Sequence, residues 1–209
     1  MARLKTAVLI SGRGSNMLAL AEAARDPAYP AEIALVLSNR PAAAGLDSAR
    51  ALGIEALAIA HKEYPDRAAF DRAVSAALKA RGIELVALAG FMRILTPGFI
   101  ADWRGRMLNI HPSLLPKYPG LDTHARAIAA GDREAGCTVH VVTEELDDGP
   151  IVAQARVPLE PSDTAQTLAA RVLVAEHGLY PQALALHAQA LLTSGNRGQE
   201  PSPTPSPRA

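Results

Sequence analysis

Hydrophobic residues in the first half of the chain fall into short continuous runs that alternate with amphipathic stretches. The runs lack the apolar–polar alternation of a half-exposed strand, and they are typical of parallel strands that are buried on both faces. The longest amphipathic stretch carries Phe70, Val74 and Leu78 at helical spacing. The pattern predicts strands at 6–11, 31–38, 55–60 and 83–90, and helices at 16–24, 45–52 and 66–81.

Alternating strands and helices of this length predict right-handed crossovers between parallel strands. The rhythm changes in the second half, where apolar segments at 137–143 and 151–157 flank an acidic turn at 144–150. Two strands that are joined in this way predict an antiparallel pair. We therefore predict an α/β fold with an open, mostly parallel twisted sheet, a Rossmann-like N-terminal half and an antiparallel C-terminal addition.

The residue pattern of the last part of the chain predicts a long helical region followed by a tail. Asp163 is predicted to cap this region, and interruptions are predicted near Gly178 and Pro181. Residues 196–209 are rich in proline and serine, and this composition predicts disorder. Residues 1–195 are predicted to form a single domain, because this length fits one hydrophobic core.

Charge and composition narrow the class of partner. Basic and acidic residues number 21 each, so no overall charge favours nucleic acid or an anionic membrane. The aromatic content of 4% argues against stacking platforms for single-stranded nucleic acid. The apolar run at the N-terminus is too short for a membrane span, and the single cysteine fits a reducing compartment. We expect small-molecule substrates and a cytoplasmic location, with neither nucleic acid nor membrane as partner.

The segment 107–120 contains the strongest candidate for chemistry. Asn109 and His111 end an apolar run, and they point the same way if the run is a strand, because side chains alternate faces. Acyl-type chemistry needs an amide that holds a developing oxyanion and an imidazole that moves a proton. Pro112, Pro116 and Pro119 stiffen the loop that follows. A packed or capping histidine is the competing interpretation, but the end of a sheet strand is where open α/β sheets bind ligands.

A glycine-rich turn at 11–16, SGRGSN, lies between the first predicted strand and the first predicted helix. Backbone amides at a helix N-terminus favour a phosphate group. The turn lacks the third glycine of a dinucleotide fingerprint and the Gly-Lys-Ser/Thr of a Walker A loop, so a monophosphate suits it better. The alternative interpretation is an ordinary turn in which Ser15 or Asn16 caps the helix.

The acidic turn supplies a possible partner for His111. Either Asp147 or Asp148 could orient the imidazole, directly or through a water, although acidic residues and glycine are also common in plain turns. His140 could line the same pocket or be a buried core histidine, and His124 could cap a helix or touch substrate. The histidines and the cysteine show no zinc-ligand spacing, so no metal site is predicted.

Taken together, these motifs resemble those of one known enzyme family. The chain closely resembles the phosphoribosylglycinamide formyltransferase family, whose members depend on folate. The likeness covers residues 6 to about 190. The matching segments are SGRGSN at 11–16, LAGFMRIL at 88–95, NIHPSLLPKYPG at 109–120, ELDDGPI at 145–151 and EHGLYP at 176–181.

The resemblance implies the formyltransferase fold and a metal-free transfer of a formyl group from 10-formyltetrahydrofolate. The implied acceptor is the amine of N1-(5-phospho-D-ribosyl)glycinamide, in de novo purine (IMP) biosynthesis. The implied catalytic trio is Asn109, His111 and Asp147. The implied ribonucleotide-binding residues are Gly14, Ser15, Asn16 and Glu176. The implied folate-binding residues are Arg67, Met92, Arg93, Ile94, Leu95, Asn109, Val142 and Asp147.

Two residues depart from the family pattern. Asp122 stands where many members carry histidine, and we expect it to face away from the phosphate, since charge repulsion would weaken binding. Asp148 stands where glycine is common. The competing functions are a formyltetrahydrofolate hydrolase and a non-catalytic folate- or nucleotide-binding module. The oligomeric state is left open between a monomer and a homodimer.

Overall fold

The structure, a computed structural model, describes residues 2–195, so the predicted disorder of 196–209 lies outside the described residues. The strands are β1 (Leu4–Ile10), β2 (Ala31–Ser38), β3 (Glu55–Ala58), β4 (Leu85–Leu88), β5 (Met107–His111), β6 (Glu134–Val141) and β7 (Ile151–Pro158). The α-helices are α1 (Ser15–Ala23), α2 (Ala44–Ala51), α3 (Arg67–Ala80), α4 (Pro97–Asp102), α5 (Thr123–Ala129) and α6 (Ala165–Gly195). A short 3-10 helix covers His61–Glu63.

The strands form a seven-stranded sheet in the order β3-β2-β1-β4-β5-β6-β7. Strands β1 to β5 are parallel, whereas β6 is antiparallel to β5 and β7 is antiparallel to β6. The predicted α/β fold with an antiparallel C-terminal addition is confirmed. The chain moves outward from β1 to β2 on one side and returns to β4 on the other. The carboxyl ends of β1 and β4 therefore flank the crevice where such sheets bind ligands.

Helices cover both faces of the sheet, which explains the continuous apolar runs of the parallel strands. Along β1, Val8 and Ile10 belong to a core that includes buried residues of α1, α2, α5 and α6. Ala7 and Leu9 belong to a second core that includes buried residues of α3 and α4 on the opposite face. Because successive side chains alternate between two buried faces, apolar residues are favoured on both faces of this strand.

Helix α4 is absent from the helices that the sequence pattern predicts. It has six residues, fewer than two helical turns, so it shows no periodicity to detect. Its start nevertheless carries a local signal, because the Thr96 side chain accepts from the Phe99 N–H and Pro97 occupies the first turn. The signal for this helix in the sequence is therefore its N-terminal Thr-Pro pair and not an amphipathic pattern.

Helix α6 corrects two predictions about the C-terminal region. It continues through Gly178 and Pro181, because its packing against α1, β6 and β7 offsets the roughly 3 kcal/mol that an interior proline costs. The cap is Thr164 rather than Asp163, since the Thr164 hydroxyl accepts from the Thr167 N–H at 3.2 Å. Asp163 instead accepts from the Thr167 hydroxyl at 2.9 Å.

The described residues offer no helix that combines the length and the apolarity needed to cross a bilayer. Within 2–195 there is also no group of three or more His, Cys, Asp or Glu residues arranged to hold a metal ion.

Candidate active site

A cavity of about 780 Å³ opens at the carboxyl ends of β4 and β5. The loop after β6 and the start of α5 complete its walls. The predicted site residues on its walls are Asn16, Met92, Arg93, Ile94, Leu95, Asn109, His111, Val142, Asp147 and Glu176. Gly14, Ser15 and Arg67 do not line this cavity, and Arg67 is exposed on the first turn of α3. The fold therefore gathers most of the predicted residues around one space.

Asn109, His111 and Asp147, hereafter the trio, lie in contact on one wall. Strand β5 presents Asn109 and His111 on the same face, as its alternation predicts. The loop after β6 brings Asp147 to them, with its Oδ2 3.3 Å from His111 Nδ1 and its Oδ1 3.5 Å from Asn109 Nδ2. The side chains of His111 and Asp147 are both nearly buried. The geometry places Asp147, rather than the exposed Asp148, beside the imidazole.

His140 is a fourth side chain of this cluster. It is paired with Asn109 across β5 and β6, and its Nε2 lies 3.2 Å from Asn109 Nδ2 and 3.6 Å from Asp147 Oδ1. Its Nδ1 lies 3.1 Å from the Val141 carbonyl oxygen, so Nε2 is the ring nitrogen that faces Asn109 and Asp147. The suggestion that His140 lines the pocket is confirmed.

The carboxyl of Asp147 is held in its charged form. Burial opposes ionisation, but hydrogen bonds from His140 and the Gly120 N–H, together with the nearby histidines, outweigh it and lower the pKa of Asp147. Asp147 itself has a left-handed backbone, with φ of 53°, which is uncommon for a residue other than glycine. A conformation of this kind persists only where its surroundings hold it, and the Gly120 bond at 2.9 Å is one such restraint.

The hydrogen-bond donors of the trio all face protein acceptors in this structure. Asn109 Nδ2 points to His140 and Asp147, while His111 Nδ1 faces Asp147 and Nε2 lies 2.9 Å from the Tyr118 carbonyl. Both ring nitrogens of His111 therefore face an acceptor oxygen. The Asn109–Asp147 contact, at 3.5 Å, is at the outer limit of a hydrogen bond. The Asn109 N–H that makes this long contact is therefore the one that can most easily donate to a substrate oxygen instead.

The glycine-rich turn ends in an open helix N-terminus. Gly14 is the N-cap of α1 with a left-handed φ of 75°, and no side chain caps the helix there. The alternative in which Ser15 or Asn16 is the cap is therefore wrong, because both residues are already helical. A Cβ on Gly14 would lie 3.2 Å from the Cα of Gly45, so the turn also packs tightly against α2. The amides of this first turn have no side-chain cap, and phosphate binding there stays a prediction.

Asn16 and Glu176 connect this turn to α6. Asn16 Nδ2 donates to Glu176 Oε2 at 2.6 Å, and both residues are buried on the wall of the cavity. Burial raises the pKa of Glu176, although the bond from Asn16 works in the opposite direction. The Oδ1 of Asn16 is buried without a protein partner. These groups add a second polar region to the cavity, whose walls also carry the trio.

The segment after β4 forms the apolar wall. Met92 and Ile94 line the cavity although their side chains remain 59% and 65% exposed. Side chains of this size and exposure beside a concave site are typical of a surface that a ligand covers. Two side-chain bonds restrain the segment: the Ser11 hydroxyl accepts from the Met92 N–H at 2.8 Å, and Asp71 accepts from the Thr96 N–H at 2.7 Å.

Sequence reasoning missed the network that restrains this segment. The Ser11 hydroxyl donates to Asn39 Oδ1 at 2.6 Å, and Asn39 Nδ2 lies 3.2 Å from His61 Nδ1. Ser11 and Asn39 each directly follow a parallel strand, so their position at the ligand-binding edge of the sheet was a signal that could have identified them.

Ser11→Ala should raise KM for the substrate that covers this apolar wall about five- to tenfold, because the Met92 N–H and Asn39 lose a buried partner. Turnover should stay within about threefold, since the trio is untouched. Ser75→Ala is a matched control: this buried serine donates to Asp102 and lies outside the cavity wall. Steady-state kinetics of both variants test the prediction, and an unchanged KM for every substrate in Ser11→Ala would contradict it.

The two departures from the family pattern differ in position. Asp122 lines the cavity at the N-cap of α5, with a left-handed φ of 58°, and the expectation that it faces away from the phosphate stays a prediction. The loop places it there because α5 begins directly after it. Asp148 is exposed and does not line the cavity. His124 also lines the cavity, and burial together with the nearby His111 lowers the pKa of His124.

A sheet of this topology, with an amide, an imidazole and a carboxylate at its ligand-binding edge, defines a group-transfer enzyme of the α/β class. Residues 4–184 match the family model described as formyl transferase, and the chain belongs to this family.

The relatives of the chain include enzymes of known name. It is 44% identical over 185 residues to the phosphoribosylglycinamide formyltransferase of Escherichia coli, covering 88% of this chain and 87% of that protein. It is 50% identical over 192 residues to the trifunctional purine biosynthetic protein adenosine-3 of Drosophila pseudoobscura pseudoobscura. That match covers 91% of this chain but spans only 14% of the length of the trifunctional protein.

Solved structures resemble the chain over most of its length. The phosphoribosylglycinamide formyltransferase of Brucella melitensis aligns with a TM-score of 0.86 at 53% identity, covering 89% of this chain and 96% of that one. Glycinamide ribonucleotide transformylase 1 of Symbiobacterium toebii aligns with a TM-score of 0.87 at 44% identity, covering 90% and 89% respectively.

Proposed function

We propose that this protein transfers the formyl group of 10-formyltetrahydrofolate to the amine of N1-(5-phospho-D-ribosyl)glycinamide. Its bacterial relatives are named as phosphoribosylglycinamide formyltransferases, which supports this acceptor. The observation that carries the proposal is the trio on the wall of a cavity that reaches the Asn16–Glu176 pair at a second point. A cavity of about 780 Å³ is in the size range of small-molecule sites.

The two substrates enter from different sides of the trio. The phosphate of the ribonucleotide binds the open N-terminus of α1 at Gly14, Ser15 and Asn16, and Glu176 receives its ribose hydroxyls. The folate ring binds along the backbone of Met92, Arg93, Ile94 and Leu95, with Val142 and Asp147 on the facing loop. Arg67 is exposed outside the cavity, so it contacts the distal part of the folate, which extends to the surface.

The trio then acts on the formyl group between them. The substrate amine attacks the formyl carbon, and the oxygen of the resulting tetrahedral species becomes negative. Asn109 donates to that oxygen, a type of stabilisation worth about 3–4 kcal/mol, and protonated His111 places a positive charge beside it. The attacking amine loses a proton and the departing folate nitrogen gains one. The charged Asp147 is placed to relay protons and to hold the His111 ring in position.

Water must be kept from the formyl carbon, because its attack would release formate. The cavity walls include apolar side chains, with Leu88, Phe91 and Ile110 among them. An apolar wall offers a water molecule few hydrogen-bond partners, so water is less stable beside it. This environment favours transfer over the competing hydrolase function.

A direct assay tests the proposed function. The purified chain is mixed with both substrates, and folate release is followed by absorbance, with the ribonucleotide omitted in a parallel reaction. We expect release that depends on the ribonucleotide. Release that is indifferent to the ribonucleotide would identify a hydrolase, and binding of both substrates without any release would identify a non-catalytic module. The cytoplasmic location, the single domain and the monomeric or homodimeric state stay predictions.

A further inference from the structure

The loop between β5 and α5 supplies two backbone groups to the trio. The Tyr118 carbonyl oxygen lies 2.9 Å from His111 Nε2, and the Gly120 N–H donates to Asp147 Oδ2 at 2.9 Å. The loop thus fixes one ring nitrogen of His111 and one carboxylate oxygen of Asp147. The relative orientation of these two catalytic side chains depends on where residues 118–120 lie.

Tyr118 does not adopt this position by local preference. Its φ is 59°, a left-handed conformation that a bulky side chain rarely adopts unless surrounding contacts hold it. The Tyr118 hydroxyl donates to Asp132 Oδ2 at 2.8 Å, and Lys117 Nζ donates to Asp132 Oδ1 at 2.7 Å. One carboxylate therefore binds two successive side chains of the loop, on either side of the peptide that they share.

Asp132 is a fixed anchor outside the active-site cavity. Its N–H donates to the Ala127 carbonyl at 3.1 Å in the turn that follows α5, and its side chain is only 15% exposed. It lines a separate cavity of about 300 Å³ behind the loop. The hydrogen bonds from Lys117 and Tyr118 lower the pKa of Asp132, so the carboxylate is charged at neutral pH. Its contacts make it a link between the α5–β6 turn and the trio.

We propose that Asp132 is a positioning residue for formyl transfer: by binding Lys117 and Tyr118, it holds the Tyr118 carbonyl and the Gly120 N–H against His111 and Asp147. The inference rests on the proposed function. Asp132 itself touches neither substrate, and its effect passes through the loop backbone.

Asp132→Asn should lower kcat about tenfold, because catalytic groups that are displaced by a fraction of an ångström lose much of their effect. KM for each substrate should stay within about twofold, since the binding walls are unchanged. Tyr118→Phe, which removes a single hydroxyl, should lower kcat in the same direction by a smaller factor. Asp102→Asn is the matched control, because Asp102 also binds one lysine and one hydroxyl, Lys79 and Ser75, but lies away from the loop.

A second measurement separates this inference from the proposed function. The ring ¹⁵N resonances of His111, assigned with the His111→Ala variant, are recorded without substrates. We expect the Nε2 resonance to move in Asp132→Asn and Tyr118→Phe but not in Asp102→Asn. An unmoved resonance, or a kcat within about twofold of the unmodified protein, overturns the positioning role. Failure of the unmodified protein to transfer formyl, with the resonance shifts intact, overturns the proposed function alone.

Discussion

Replacing His111 with alanine should lower kcat about a thousandfold, the range expected when a group that both moves a proton and stabilises an oxyanion is lost. His111 is nearly buried between Asp147 and the Tyr118 carbonyl, and its ring lies on the cavity wall. The ribonucleotide should still bind within about threefold of normal, because its proposed contacts at Asn16 and Glu176 do not involve His111. Single-turnover rates and ribonucleotide titration measure the two quantities separately.

A matched control for this variant is His187→Ala. His187 Nε2 bonds the Gly105 carbonyl at 2.9 Å, so its loss removes a comparable contact without touching the cavity. Its kcat should stay within about twofold. If His111→Ala retained turnover near that of the unmodified chain, the assignment of His111 would be wrong. If both variants lost turnover equally, the loss would reflect folding rather than chemistry.

Gly149→Ala should damage both stability and catalysis. A Cβ at position 149 would lie 1.7 Å from the Val141 carbonyl oxygen, a backbone atom that cannot move aside cheaply. The neighbouring bond from the Val141 N–H to the Pro150 carbonyl, at 2.9 Å, closes the loop that carries Asp147. We expect the free energy of unfolding to fall by about 2 kcal/mol, or about 4–8 °C in Tm. Turnover should fall about a hundredfold as Asp147 shifts.

The control for this clash is Gly178→Ala. Gly178 lies within α6, and a Cβ there meets nothing within 4 Å. Alanine is the better helix former by about 1 kcal/mol, so this variant should be as stable as the unmodified chain or more so. Thermal denaturation and steady-state kinetics of the pair provide the comparison. A Gly149→Ala protein with normal Tm and turnover would show that the loop tolerates the displacement.

The site was only partly visible in the sequence. Alternation along β5 was enough to place Asn109 and His111 together, because a strand that ends in two polar residues two positions apart has one geometry. The choice between Asp147 and Asp148 came from family resemblance, since spacing within a turn does not fix which side chain points inward. The contact with His140 depends on the antiparallel register of β6 against β5, and the sequence pattern carries no signal for that register.

Anchoring contacts were harder still to predict. Ser11 holds the Met92 N–H across 81 positions, and Asp132 holds Tyr118 across 14. Each bond joins a side chain to a loop whose path depends on the packing of the surrounding helices. The secondary-structure propensities of the residues in these loops do not predict the path of either loop. The open N-terminus of α1 shows the same limit, because the cap is Gly14 rather than Ser15, in a turn that packs against Gly45.

By itself, the sequence determined the parallel half of the sheet, the ligand-binding edge and the chemical character of the segment 109–120. These follow from periodicity and from side-chain type, which are local properties of the chain. Only the tertiary structure decided that Asp147 and His140 meet Asn109, and that the loop backbone at 118–120 holds the trio in place. Those contacts are set by strand register and loop closure, which depend on the packing of the whole domain.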